Sequence, residues 1–456
     1  MHIKKLAAVL AASVISVTAV TVAAFAAGTK VPLTEKYFPD ENFREYVSEN
    51  FDTDGNGYLS QQERDAVTEI DVYYTEIRSL TGLSYFRKLK KLNCSLDYLT
   101  ELNVSKNTEL EVLDCSSNYQ LTKLNVSQNT KLKELDCGSN QLTKLNVSKN
   151  TKLEKLRCYE NKLTRLDVSK NTKLKELWCD DNELTAVDVT KNTKLEYLRC
   201  GGNKLTSLDV SKNAKLKGLD CGGNNLTEVD VAAHTKLEYL RCGGNKLTSI
   251  DVSKNTELEE LKCGGNDLTE IDVTKNTKLK KLSCGGNKIT SLDVSRNSEL
   301  EELWCGSNPL KKLNIRKNTK LVLLSCDDSQ LTSLDISRNT KLRKLECNNN
   351  QLTELDLSKN TELQWIWCYE NKLASLNVSK CTELENLYCY KNQLTELVFG
   401  KNTRLQRIEC DDNKLTSLDL SGCTDPDGGT NLFYYKCDKN VKVTEPDGFE
   451  WDIGSC

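Results

Sequence analysis

The chain has 456 residues, with 63 Lys and Arg against 66 Asp and Glu, a net charge of −3 and 20 cysteines. Lys and Glu alternate along it instead of forming a basic stripe, so nucleic-acid binding has no support. The histidines are two, His2 and His234, which nearly excludes His-dependent nucleophilic and metal chemistry.

Residues 1–26 have the form of a secretory signal peptide: basic to Lys5, apolar from Leu6 to Val22, and small-x-small at Ala24-Phe25-Ala26. The alternative is an uncleaved anchor, because the apolar run approaches spanning length. Without Lys4 and Lys5 the basic count falls to 61 against 66 acidic, a net charge near −5. No later segment has the length and apolarity of a membrane span, so the mature chain is expected to be secreted or held at the cell surface.

Residues 27–66 read as a linker, to residue 38, and a helical cap. Phe43, Tyr46, Val47 and Phe51 fall at helical spacing on one apolar face. The stretch after them, Asp52 to Glu63 (DTDGNGYLSQQE), matches the calcium loop DxDxNGxxxxxE at every defining position. Asp52, Asp54 and Asn56 supply side-chain oxygens, Gly57 the sharp turn, Tyr58 a carbonyl, Ser60 a water-mediated contact and Glu63 a bidentate carboxylate. One calcium ion is expected. Leu59 is apolar where the resembling EF-hands need packing, and Ser60 with Glu63 forms a capping box. The bland reading is an ion-free acidic turn capping a helix. EF-hands pair, and a single loop is evident here, which implies modest affinity.

Residues 67–440 are an array of 21-residue copies, for which Leu195–Lys215, LEYLRCGGNKLTSLDVSKNAK, is representative. Sixteen cysteines from Cys94 to Cys410 mark the copies; every step is 21 residues except Cys115 to Cys137, which is 22 because of an extra residue in SSNYQL (116–121). Degenerate copies at Val72 and Cys437 bring the total to about 18. In LxxLxC, side chains alternate across a strand, so Leu198 and Cys200 point inward while Tyr197, Arg199 and Gly201 point out. Leu205, Leu208 and Val210 should line the opposite wall as a second short extended segment. Six apolar groups, at about 1.5–3 kcal/mol each, do not offset the ordering of such a coil at about 1–2 kcal/mol per residue. A lone copy should not fold, and stability is a sum over neighbours.

The recurring Asn203 and Asn213 slots should form ladders that bond turn backbone and the equivalent amide one coil away. In-register cysteines all face one core and read as free buried thiols, each a small hydrophobe. One core cysteine per coil gives no closed zinc set. Cys381, Cys423 and Cys456 lie off the ladder. The first two are too far apart to bridge, and a Cys423–Cys456 bond closing the array is an expectation. Gly-Gly follows the cysteine in five consecutive copies (201/202 to 285/286), favouring a close-packed turn over a groove.

The unit resembles the bacterial leucine-rich repeats called the IRREKO class, whose repeat is two nested halves with Cys or Leu at the sixth position. The resemblance implies a leucine-rich repeat solenoid, parallel and β-rich, of about 18 coils above a small helical EF-hand-like cap. For function it implies a recognition surface and nothing finer.

Outward positions change character near 365. Trp365, Trp367 and Tyr369 in one coil and Tyr388 and Tyr390 in the next should form one exposed patch, flanked by Lys344, Glu346, Arg407, Glu409 and Asp411. Such a patch marks a ligand site or stabilises the sheet through cross-strand pairs. Trp178 and Trp304 share the same register but read as too distant to join it. Residues 424–429 form a loop, and 441–456, with Phe449 and Trp451, a C-terminal cap. The expected function is non-catalytic recognition of a protein or carbohydrate ligand. Alternatives are a self-assembling surface component or a glycan-active enzyme using Asp180/Asp181 or Asp411/Asp412.

Overall fold

A computed structural model describes residues 30–424 and 430–446. The signal segment, most of the 424–429 loop and the tail with Phe449, Trp451 and Cys456 lie outside the described residues. Each coil contributes a three-residue strand centred on the fourth position of LxxLxC. Tyr197–Arg199 pairs in parallel register with Glu176–Trp178 before it and Gly218–Asp220 after it. Eighteen such strands, from Glu69–Asp71 to Tyr434–Lys436, make one sheet in which each pairs with the strands of adjacent coils. The 22-residue step does not disturb this register, since Val112–Asp114 still pairs with Glu134–Asp136.

The core runs the length of the array. Leu195, Leu198, Cys200, Leu205 and Val210 are buried, and Leu208 is partly so. All sixteen ladder cysteines are buried and unbonded. Burial pushes their thiols up, to about 12 at Cys242 and Cys284. Cys381 and Cys423 are buried and unbonded as well; the Cys456 half of the expected bond lies outside the described residues.

The opposite wall departs from the expected second strand. Regular pairs form there near the C-terminal end, Ser375–Asn377 with Glu396–Val398 and Ser417–Asp419 with Lys442–Thr444. Earlier coils make a main-chain bond at the start of this segment, such as Lys204 N–H to Leu184 O at 2.8 Å, and an isolated parallel bridge joins Asp293 and Asn314. Nothing in the local sequence separates the two groups of coils.

The asparagine ladders are built differently from the expected amide-to-amide stack, because each amide bonds backbone instead. Asn203 Nδ2 donates to Cys179 O, Cys200 O and Gly201 O at 3.0–3.1 Å. Its Oδ1 accepts Leu184 N–H at 3.0 Å. Asn213 Nδ2 donates to Val189 O and Asn192 O at 3.1 and 2.9 Å. The amide is a second donor to these bend carbonyls: Val189 O also accepts Asn192 N–H at 2.9 Å and Asn192 O accepts Leu195 N–H at 3.0 Å, filling the second lone pair of each.

The cap consists of α1 (Glu41–Phe51) and α2 (Gln61–Ala66), with strand β1 (Val31–Pro32) antiparallel to β2 (Tyr58–Leu59). Asp40 caps α1 by accepting Phe43 N–H at 3.0 Å. Its other oxygen accepts Arg78 and Ser79 N–H at 2.7 and 3.0 Å, tying the cap to the first coil. Phe38, Phe43, Val47 and Leu59 are fully buried with Ile70 and Phe86 and close the end of the core. Residues 31–38, read from sequence as linker, are thus a working part of the cap.

Candidate functional site

The loop between α1 and α2 brings Asp52, Asp54 and Glu63 together, with one carboxylate oxygen of each within 4.8 Å of the others. Asp52 is held by Asn56 N–H at 3.2 Å and Gly57 N–H at 2.9 Å. Glu63 accepts Thr53 N–H and hydroxyl and Ser60 N–H, each at 2.8 Å. Burial pushes the Glu63 carboxyl up, but the bonds from Ser60 and Thr53 outweigh it and hold the pKa down at about 2. Ser60 caps α2 through its side chain as the capping box requires. Asn56 turns its amide nitrogen to Asp54 at 2.6 Å and its oxygen to Tyr58 N–H at 2.9 Å. To face an ion, that amide must rotate.

A clustered trio of carboxylates without a basic partner among them suits a hard oxygen-loving cation. The missing second loop is replaced from within the chain: Val31 pairs with Leu59, and Leu33 N–H donates to Gly57 O at 3.0 Å. Sequence reasoning missed this brace because a two-residue strand has no periodicity to reveal it.

On the outward strand face, four of the five aromatics expected near 365 meet as two pairs, with Trp365 outside both. Tyr369 and Tyr390 stack with centroids 4.5 Å apart, and Trp367 meets Tyr388 edge-on at 5.9 Å. Trp365 is 37% exposed; the others are half-buried by one another. Burial pushes the Tyr369 hydroxyl up to about 12. Arg407 bridges Tyr388 at 5.7 Å and Tyr434 at 4.4 Å. Trp304 is less isolated than its spacing implied, because Lys344 Nζ lies 5.7 Å from its ring and 4.9 Å from that of Trp367. Ser325, small and intervening in the same column, leaves room for that reach.

A second cluster went unnoticed in the sequence. Arg157 and Arg199 flank the Trp178 ring at 4.3 and 4.8 Å, Tyr159 lies 6.3 Å from it, and Tyr197 stacks on Tyr239 at 6.3 Å. The last contact skips a coil and requires Gly218 between the rings, where a Cβ would stand 2.1 Å from Tyr239. The signal was there, since Arg157, Trp178 and Arg199 occupy one slot of three consecutive coils. Asp180 is paired with Arg199 at 2.7 Å and Asp411 with Lys436 at 2.9 Å. The glycines between the clusters are closely packed: at Gly264 an added Cβ would lie 2.8 Å from Gly285 O.

A parallel stack of 21-residue coils with one inward cysteine per coil, closed by a helical cap, defines a bacterial leucine-rich repeat protein of the internalin kind, and the chain belongs to that family. The functional domain of InlJ from Listeria monocytogenes, which includes a cysteine ladder, superimposes with a TM-score of 0.70 at 33% identity, over 86% of this chain and 83% of that one. A leucine-rich repeat protein from Leptospira interrogans superimposes with a TM-score of 0.62 at 25% identity, over 78% and 92%. In sequence, 72 residues are 38% identical to Internalin J of Listeria monocytogenes; they are 16% of this chain and 8% of that protein, so the match spans far less than two thirds of the relative. No family model matches the chain. Among the described residues no helix is long and apolar enough to cross a membrane.

Proposed function

We propose that the chain is a secreted or cell-surface recognition protein without catalytic activity, binding a protein ligand through the outward strand face between Trp304 and Tyr434. The observation that carries this reading is the continuous run of rings and cations, Trp304, Lys344, Trp367, Tyr388, Arg407 and Tyr434, each within 6 Å of the next. Aromatic residues and Arg are the side chains that anchor protein interfaces. Within the internalin kind, the IRREKO class is the proposed assignment, supported by the 21-residue unit with Cys at its sixth position. Peptide and glycan arrays test the reading: the triple variant Trp365→Ala, Trp367→Ala, Tyr388→Ala should lose at least tenfold in affinity for a captured peptide. Binding unchanged by the variant, or confined to glycans, removes the protein-ligand reading of this face.

The cap is proposed to be an EF-hand-like unit holding one calcium ion through Asp52, Asp54, Asn56, Tyr58, Ser60 and Glu63. The converging carboxylates and the β1–β2 brace support it. Bound calcium would supply a central charge that ties the loop to both helices and stabilises the open end of the core. Calorimetry on the full chain should give one site per molecule, and no heat at millimolar calcium would rule it out.

A further inference from the structure

Four exposed tyrosines, three of them the most exposed aromatic side chains among the described residues, lie on neither cluster described above. Tyr73, Tyr74, Tyr98 and Tyr119 expose 54, 69, 48 and 58% of their surface and sit on the turn that leaves the strand in the first three coils. Leu96, half-buried, lies between them on the second coil. At sheet spacing the first and third coils are about 10 Å apart.

Tyr119 is there because the period is broken. Regular coils have one left-handed residue at this turn; the third has two, Ser117 at φ 56° and Tyr119 at φ 55°, as does the degenerate first coil with Tyr74 at φ 56° and Glu76 at φ 62°. The extra residue also removes a ladder bond. Elsewhere the leucine after the turn donates to the next asparagine, as Leu142 N–H does to Asn161 Oδ1 at 2.9 Å. Asn140 Oδ1, the acceptor Leu121 would serve, is buried without a partner. A backbone that is strained and loses an interior bond in order to extrude a tyrosine has no structural return.

Chemistry at the rim is also unlike the rest of the array. Farther along, the slot of Tyr98 holds ion-paired side chains, Glu183 with Lys204 at 2.9 Å and Asp267 with Lys288 at 2.6 Å. Here the same turns carry the half-buried Ser117 and the exposed Gln120, while Ser95 and Ser116 are buried with their hydroxyls on Asn93 and Asp114. The charges beside them are of mixed sign: Glu76, Asp71, which accepts Tyr73 N–H at 3.2 Å, and the Arg78 that lies 5.7 Å from the Tyr98 ring.

We propose that Tyr73, Tyr74, Tyr98 and Tyr119 form a docking surface for a neutral polysaccharide chain running across the first three coils. Pyranose rings present apolar C–H faces to stack on tyrosine and a periphery of uncharged hydroxyls for Ser and Gln. Rings with an apolar body and polar tip supply both contacts with little loss of side-chain freedom. Asp71, Glu76 and Arg78 are of mixed sign and offer a charged chain no run of counter-charge. This surface is independent of the face between Trp304 and Tyr434.

The test is a printed array of neutral and charged glycans probed with the full-length protein, Tyr98→Ala/Tyr119→Ala, a deletion of Tyr119, and the Trp365/Trp367/Tyr388 alanine variant. The wild type should bind neutral members, the double variant and the deletion should bind at least tenfold more weakly, and the tryptophan variant should be unchanged. Because the deletion restores the 21-residue period and the Asn140 acceptor, its melting temperature should rise, which separates lost binding from lost folding. Binding to no neutral glycan, binding to charged glycans alone, equal loss in the tryptophan variant, or competition at Tyr98 and Tyr119 by a protein ligand overturns the proposal.

Discussion

The coils from Gly201 to Gly306 and the first three coils share one architecture but differ in how completely they satisfy it. In the middle, Gly201, Gly222, Gly243, Gly264 and Gly285 each fit against the carbonyl of the next coil, and each Asn203-type amide is fully bonded. Near the N-terminus, Asp97 stands where other coils have Asn, and its Oδ2 is buried without a partner. The Asn140 acceptor is open as well. Departures from the repeat therefore mark places where a local requirement has overridden packing, whereas fidelity to it marks places where only packing matters.

The sharpest way to break the comparison is a core deletion in the middle. Leu261, fully buried between Leu240 and Leu282, should lose about 2–5 kcal/mol on Leu261→Ala by urea unfolding. A loss below about 1 kcal/mol would show that the coils do not share their burial. Gly264→Ala should be next, at about 1–3 kcal/mol, because its Cβ would meet Gly285 O, a backbone atom that cannot rotate away.

Asp97→Asn sharpens the other side. Burial raises the Asp97 carboxyl to about 6, despite the N–H groups of Ile77 and Thr75 that its Oδ1 accepts at 3.1 and 3.0 Å. A carboxyl raised on folding contributes stability when protonated, fully present below about pH 4 and lost as pH rises through about 6. The Asn variant should therefore gain on the order of 1–2 kcal/mol at pH 7, with the gain vanishing near pH 4. Equal gains at both pH values would contradict the assignment. The smallest effect is expected at Lys280→Ala, which removes an exposed pair with Glu259 at 2.8 Å and should leave the unfolding midpoint unchanged.

Sequence was most informative where a residue type recurs. The solenoid, its inward cysteines and the meeting of Trp367 with Tyr388 all follow from spacing, because neighbours in the array are neighbours in space. What it hid were contacts between unlike residues: Val31 bracing Leu59 across the calcium-type loop, and Lys344 joining Trp304 to Trp367. Tyr119 was visible only as a slip in the count, since a one-residue insertion does not say whether its side chain turns in or out.

The sheet also sets a length scale. Between the coil of Cys94 and that of Cys368 lie 13 steps, roughly 60 Å at strand spacing, and each step repeats the pairing of the last. Gain or loss of a single coil would therefore alter how far apart the two proposed surfaces stand without remodelling either. In such a molecule reach is a countable, heritable trait, adjustable one rung at a time.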